Sequence, residues 1–528
     1  MPVKINLFPV KDFTGGLNLR AAPLQLGDNE SPEMLNVDID PRGGIRMRKC
    51  CTTMNTTPVG GLASRLVSMW EFANSSGVEQ VMVSRYAAMY YSTGTDFTAI
   101  PVGARVGTGK HRATTFKDNC YIQNGWDPVA KWDGATVSVM ADPAPASWNN
   151  DYAVVGVNKM VASHYIATHM GMVFVANTRE NSTAYPNRVR FSHPNQPESW
   201  REIDYIDIDT GHDGDVITGI VPFGGRLFVF KNHSIHAIHG YSPETFQVVE
   251  ISGNVGATSQ EAIAVSPQGI YFFSWPGGVY ALGGQGQPVW LWERLHPLIE
   301  DGGLEESMQE DFTVGWLNKR LWVCVATAGE DLNRQYVYDP TLQKQGGWVK
   351  YDFPLGQIME WNPLSEAPTF LGIGLGDADG RVLQLEIEAD NDTYDNVTAV
   401  PVATTYTSRW YDLDAPAVKK RWKSPEFVFN AKFAASVRVD CYRDYDPSQI
   451  TRTFFADVVP KATAGVWDTS LWDEFVWGSE DLGAEQIIKG SLLGAARAVR
   501  IKLTGPTPSA RWSMDAVTFK YIPLRVRA

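Results

Sequence analysis

Apolar runs of strand length, separated by turns carrying Gly or Asn, recur along the middle of this chain. They predict hairpins, not helices. The clearest unit is ITGIVPFGGRLFVFKNHSIHAIHG, Ile217 to Gly240, followed by EAIAVSPQGIYFFSWPGGVYALGG, Glu261 to Gly284. Further copies start at Ala113 (ATTFKDNCYIQNGWDPVAKWDG), Ile166 (IATHMGMVFVANTRE) and Phe312 (FTVGWLNKRLWVCVATAGEDLNRQYVYDP). Weaker copies start at Leu66 and Gln357, and the starts fall about 45 to 53 residues apart. That period suits one four-stranded propeller blade per unit. Gly224-Gly225, Asp118-Asn119 and Asn318-Lys319 are the expected hairpin turns. LFVF (227–230) and IYFF (270–273) are apolar throughout, which predicts strands covered on both faces, as stacked blades would cover them. A pair of β-sandwiches would show similar strand spacing but gives no reason for the recurrence. GLEESMQEDF (303–312) is the one short helix candidate singled out.

The ends lack the repeat. Residues 1–60 are rich in Pro, Gly, Asn and Asp and read as an extended N-terminal arm tied along another surface or a neighbouring subunit. Arg42, Arg46, Arg48 and Lys49 form a basic cluster there, which serves as a solvated strand face or as a partner contact. DNDTYDNV, residues 390–397, reads as a linker or long loop. Beyond it the strands alternate: Val437, Val439 and Cys441 share one face, with Arg438 and Asp440 on the other. The expected fold is therefore all-β: a six- or seven-bladed β-propeller over 61–390, preceded by the arm (1–60) and followed by a C-terminal β-sandwich-like domain (391–528).

Composition narrows the function classes. With 46 Lys and Arg against 59 Asp and Glu, the net charge is −13, which argues against a surface that grips nucleic acid by neutralising phosphates. It leaves room for a wall that DNA slides past. Five Cys without CxxC or Cys/His spacing indicate neither a zinc site nor a disulfide framework, and fit cytoplasmic assembly. The opening MPVKINLFPVKDF has no signal-peptide apolar region, and no run of about 18 apolar residues appears, so membrane insertion is not expected.

Candidate chemistry is sparse. Asp204, Asp207, Asp209, Asp213 and Asp215 crowd DYIDIDTGHDGD, which begins like a calcium loop but lacks its closing Glu; a Gly-rich turn before a blade is the plainer reading. His233, His236 and His239 are spaced by three, so along a strand they do not converge on one ion. Glu305 and Glu306 are a carboxylate pair of a kind any acidic protein supplies. G-x-S-x-G, H-E-x-x-H, the P-loop and sialidase-like Asp boxes are all absent. Trp467, Trp472 and Trp477 in VWDTSLWDEFVWG suit core or edge packing, with carbohydrate stacking as the functional alternative. No catalytic, cofactor-binding or metal residue is assigned, and no channel gate.

Three stretches carry a resemblance. GGLNLRAAPLQLGDNESPEMLNVDIDPRGGIRMR resembles the N-terminal segment of the tail nozzle, or tail tubular, β-propeller proteins of short-tailed bacteriophages. DIDTGHDGDVITGIVPFGGRLFVFKNHSIHAIHG resembles their most recognisable blade, and TSRWYDLDAPAVKKRWKSPEF the strands that open the region after the propeller. The resemblance implies a structural virion protein of the tail, assembled in the host cytoplasm, with no enzyme activity and no cofactor. It implies a homo-hexameric ring below the portal and adaptor, beside tail fibres or spikes. The ring would enclose and gate the channel through which double-stranded DNA is ejected without specific binding. Two other classes make different predictions: a tail-tip receptor- or glycan-binding propeller, and a propeller polysaccharide hydrolase.

Overall fold

The computed structural model describes residues 5–101, 107, 109–139, 160–180, 183–201, 203–208, 214–283, 286–342, 347–363, 367–460, 485–506 and 509–524. Its middle is a ring of seven blades. Six are consecutive four-stranded antiparallel meanders over residues 68–99, 112–139, 160–207, 217–252, 263–290 and 313–351. The seventh takes three strands from residues 355–387 and its fourth, Cys50–Thr53, from the N-terminal segment. The innermost strands pack in sequence from Ser68–Ala73 round to Leu355–Trp361, which packs back on Ser68–Ala73 and closes the circle. The count left open between six and seven is seven, because the weak copies at both ends of the repeat are full blades.

The apolar runs explain the stacking. Leu227, Phe228, Val229 and Phe230 are buried on both faces of their strand, and so are Ile270 to Phe273. The hairpins between first and second strands turn through left-handed backbone, as two-residue turns of this twist require. Gly224-Gly225 (φ 56° and 76°) and Asn318-Lys319 (φ 48° and 62°) sit where the sequence placed them. In blade 2 the turn is Lys117-Asp118 (φ 47° and 63°), one residue earlier than expected, because Asn119 already pairs with Phe116. The helix candidate forms a 3-10 turn over Glu306–Asp311.

An innermost strand has one edge without a ladder partner, and glutamines satisfy it at two seams. Gln357 accepts from the Met69 N–H (2.7 Å) and donates to the Met69 carbonyl (3.1 Å), joining blade 7 to blade 1. Gln260 does the same to Ile220 (2.8 and 3.3 Å), joining blade 5 to blade 4.

Beyond the blades lies a sandwich of a five-stranded and an eight-stranded sheet. The N-terminal segment is woven into both. Glu33–Leu35 pairs with Thr405–Thr407 in the first, while Asn6–Val10, Val37–Ile39 and Ile45–Met47 belong to the second. Residues 1–60 are thus tied along the chain's own surfaces, and the segment links all three parts. The stretch read as a linker contains the strand Asn391–Thr393, which extends blade 7 outside Cys50–Thr53. In the strand Ala435–Arg443, Val437, Val439 and Cys441 face the core as expected. Asp440 is buried too, held by Arg438 and Thr453. One continuous apolar core runs from blades 5 to 7 into the sandwich, so the two bodies share an interior.

Candidate functional site

The ring of inner strands begins at a cluster of charges on the propeller axis. Arg112 opens the inner strand of blade 2, and Glu261 stands just before that of blade 5. The guanidinium meets the carboxylate through two bonds, of 2.8 and 2.9 Å. Blades 2 and 5 are not neighbours in the ring, so this pair spans the axis. Arg112 also donates to the His164 carbonyl of blade 3 (3.2 Å) and lies 4.8 Å from the Tyr165 ring. Lys110 adds an ion pair to Asp311 at 2.9 Å, before blade 6. Burial alone would raise the Glu261 pKa, but Arg112 and Lys110 overcome it and hold it down to about 2. A cavity of about 390 Å³ of mixed lining, with Arg65, Lys110, Glu261 and Asp311 beside Leu66, Val67, Leu332 and Leu375, opens at this end. The axis of a single propeller is bridged here by paired, desolvated charges.

The aspartates of DYIDIDTGHDGD do not converge. Asp204 pairs with Arg201 (2.8 Å) and Asp207 with Arg188 (2.7 Å). Asp209 and Asp213 lie outside the described residues. Asp215 is buried and accepts from the His233 N–H (2.9 Å) and the Ser234 hydroxyl (2.7 Å), with the Lys231 ammonium 3.6 Å away. Ser234 Oγ lies 3.2 Å from His236 Nε2. Ser, His and Asp do meet here, but in the wrong order for nucleophilic catalysis. The carboxylate contacts the hydroxyl directly instead of orienting the imidazole. The group ties the loop entering blade 4 to the turn between its second and third strands.

The three histidines are separated as their spacing requires: His236 is buried, His239 half-buried at the end of its strand, and His233 exposed outside it. Among the described residues no three His, Cys, Asp or Glu are arranged to hold a metal ion. Glu305 caps a turn, accepting from Ser307 (2.6 Å) and from the Gly329 N–H (2.8 Å). Trp467, Trp472 and Trp477 lie outside the described residues.

The basic cluster of residues 42–49 is matched inside the molecule. Arg42 and Arg46 pair with Asp40 and Asp38. Lys49 reaches Glu386 and Glu388, and Arg48 is buried against Asp392. Arg320 of blade 6 bonds Asp38 at 2.9 Å and Glu386 at 2.7 Å, so arm, blade 6 and blade 7 meet at one guanidinium. Of the two roles the sequence allowed this cluster, a solvated face describes Arg42, whose side chain is 77% exposed, while Arg48 is buried within the chain. The sequence reading missed Arg112 and Glu261. Their signal was a charge placed just before the apolar inner strand in two separated units.

The chain is a seven-bladed β-propeller joined to a β-sandwich. No family model matches it, and no curated protein matches it in sequence. Among solved structures it is similar to BamB from Moraxella catarrhalis, at 10% identity over 67% of this chain and 94% of that one, with a TM-score of 0.37. It is similar to the RRP9 WD40 repeats at 10% identity, over 65% of this chain and 100% of that one (TM-score 0.41). The extracellular domain of the putative one component system BT4673 from B. thetaiotaomicron is 11% identical, over 82% of this chain and 58% of that one (TM-score 0.41). At such identities the likeness is one of fold, and the blade connectivity rests on the chain's own strand pairing.

Proposed function

We propose that this protein is a structural component of a short-tailed phage tail, a propeller subunit of the nozzle ring around the DNA ejection channel. The observation that carries the reading is where the nozzle-like N-terminal stretch lies. The residues that resemble the family are those that bind propeller to sandwich, through the strands Glu33–Leu35, Val37–Ile39 and Ile45–Met47 and the buried Arg48. A subunit that must stay rigid while DNA passes gains from a shared interior and charged staples of this kind.

The bridged axis supports one feature of the proposal. With Arg112 and Glu261 joined across it, DNA would run between copies of the chain, along a path shared by several protomers. The net charge of −13 suits a wall that does not hold phosphates. In this reading the protein turns over no substrate and takes no cofactor. Its partners are further copies of itself, in a hexamer, and the portal or adaptor ring.

The test is electron microscopy of the purified full-length protein, alone and mixed with the portal complex. A closed ring with an aqueous channel wide enough for duplex DNA is expected on the portal. A protein that stays monomeric in both samples, or that hydrolyses a bacterial surface polysaccharide, would sink the reading.

A further inference from the structure

The mouth of the axial cavity carries an aromatic side chain that the fold does not use. Tyr86 is the first of two tip residues joining the second and third strands of blade 1, Glu79–Arg85 and Ala88–Ser92, and it lines the cavity. Its backbone is left-handed (φ 50°), a conformation that is sterically costly for a bulky L-residue. Among the described residues one other aromatic residue stands on such backbone, Tyr445, and its contacts account for it. Its ring lies 5.5 Å from that of Trp410, and its hydroxyl donates to Asp412 (3.1 Å). Tyr86 is 53% exposed and has neither a hydrogen bond nor an aromatic partner among the described residues. Gly would hold this tip without strain. Strain that the fold itself does not repay points to function.

The surroundings of Tyr86 indicate what it meets. Arg65 pairs with Asp331 at 3.0 Å and Lys110 with Asp311 at 2.9 Å, so the charges at the mouth are matched cation to anion. An ionic ligand would have to displace a partner already in place. A hydroxyl needs no such exchange, because it can accept from the cation and donate to the carboxylate. Leu66, Val67, Leu332 and Leu375 give the same cavity an apolar wall. A second exposed ring stands beside it: Trp126 is 55% exposed, and a Cβ on the lining residue Gly109 would lie 3.8 Å from its Cδ1. The Asn124 side chain accepts from the Trp126 and Asp127 N–H groups (3.1 and 2.8 Å), which braces the turn that presents the indole. Hydroxyls round the rim and C–H groups on the face describe a pyranose ring, and a cavity of about 390 Å³ has the size of a small-molecule site.

We infer that the axial cavity binds an uncharged pyranose, free or as a unit of a glycan, stacked on Tyr86 with Trp126 as a second wall. Arg65, Lys110 and Asp311 bond its hydroxyls. The site lies within one chain and stands independently of the ring reading.

The test is saturation-transfer NMR of the full-length protein with glucose, galactose, mannose, N-acetylglucosamine and rhamnose. At least one should bind with a Kd of about 1 to 10 mM, as suits a single ring, and equimolar inorganic phosphate should not displace it. Tighter binding of maltopentaose or chitopentaose than of their free units marks a glycan as the source, and equal affinity marks the free sugar. Tyr86→Gly should weaken binding by about tenfold while raising the thermal unfolding midpoint, because the left-handed tip is relieved. A merely structural tyrosine would lose stability on the same change. Tyr86→Phe keeps the ring and should bind within about threefold of wild type. No sugar binding below about 50 mM, displacement by phosphate, or a Tyr86→Gly variant that binds as wild type does or unfolds earlier would overturn the inference.

Discussion

The Arg48 guanidinium holds both carboxylate oxygens of Asp392, at 2.7 and 3.0 Å, with each side chain only 2% exposed. The same guanidinium lies 3.6 Å from the Phe353 ring and donates to Asn36 (2.8 Å), while Asp392 also accepts from the Cys51 N–H (3.0 Å). Three separated stretches of sequence therefore meet at one ion pair: the arm with the strand that closes blade 7, the end of blade 6 and the strand outside blade 7. Burial alone would lower the Arg48 pKa, but Asp392 raises it well above its ordinary value, so the pair stays charged.

Removing one partner from such a pair leaves the other buried and uncompensated. Arg48→Met should cost on the order of 3 to 5 kcal/mol in urea denaturation. Arg48→Met combined with Asp392→Leu should recover much of that loss, because no orphan charge remains. A loss below about 1 kcal/mol in the single variant would show that the junction is held by its apolar contacts alone.

The axial pair gives a pH signature. Arg112 and Lys110 hold the Glu261 carboxyl, against the upward push of burial, down to about 2, below its ordinary 4.5. Its contribution is therefore fully present above about pH 4.5 and is lost as pH falls towards 2, and a depression of this size is worth on the order of 3 kcal/mol. Glu261→Gln should be less stable at neutral pH and should lack that part of the acid loss. Denaturation curves measured between pH 6 and pH 2 check this, and parallel curves for wild type and variant would contradict it.

How far the fold was legible depends on how local its signal is. The blades were readable because each buries its own hairpins, and runs such as Leu227–Phe230 announce two covered faces. Blade 7 was not fully readable. Its outer strand is Cys50–Thr53, whose partner Leu383 is over three hundred residues away, and no turn joins them. Asn391–Thr393 failed for a related reason: three polar residues look like a loop until Asp392 is seen to satisfy Arg48 and the Cys51 N–H. The axial pair was hidden because single charges ahead of a strand are common, and only ring closure brings Arg112 and Glu261 together.

The thiols offer an independent check on packing. All five cysteines are buried, and burial pushes the Cys50, Cys120 and Cys441 thiols up to about 12. The thiolate is the reactive form. At pH 8 the native protein should therefore react with iodoacetamide at none of the five positions on a timescale of minutes, and at all five in urea. Rapid labelling of Cys50 or Cys51 in the native state would mean that the strand closing blade 7 opens readily.

The hairpin turns of blades 4 and 6 make a matched pair for a last prediction. Gly225 (φ 76°) and Lys319 (φ 62°) hold the same second turn position, both in left-handed backbone. That conformation costs an L-residue other than Asn or Asp roughly 1 to 2 kcal/mol, and Gly nothing. Lys319→Gly should therefore stabilise, by about 0.5 to 1 kcal/mol once the greater freedom of Gly in the unfolded chain is counted. Gly225→Ala should destabilise by about 1 kcal/mol. The cause would be conformational, because a Cβ there meets only Met170 Cε at 3.7 Å, an ordinary contact. Opposite signs in urea denaturation are the expected result. Equal signs would mean that the side chains at these tips, and not the backbone, set their stability.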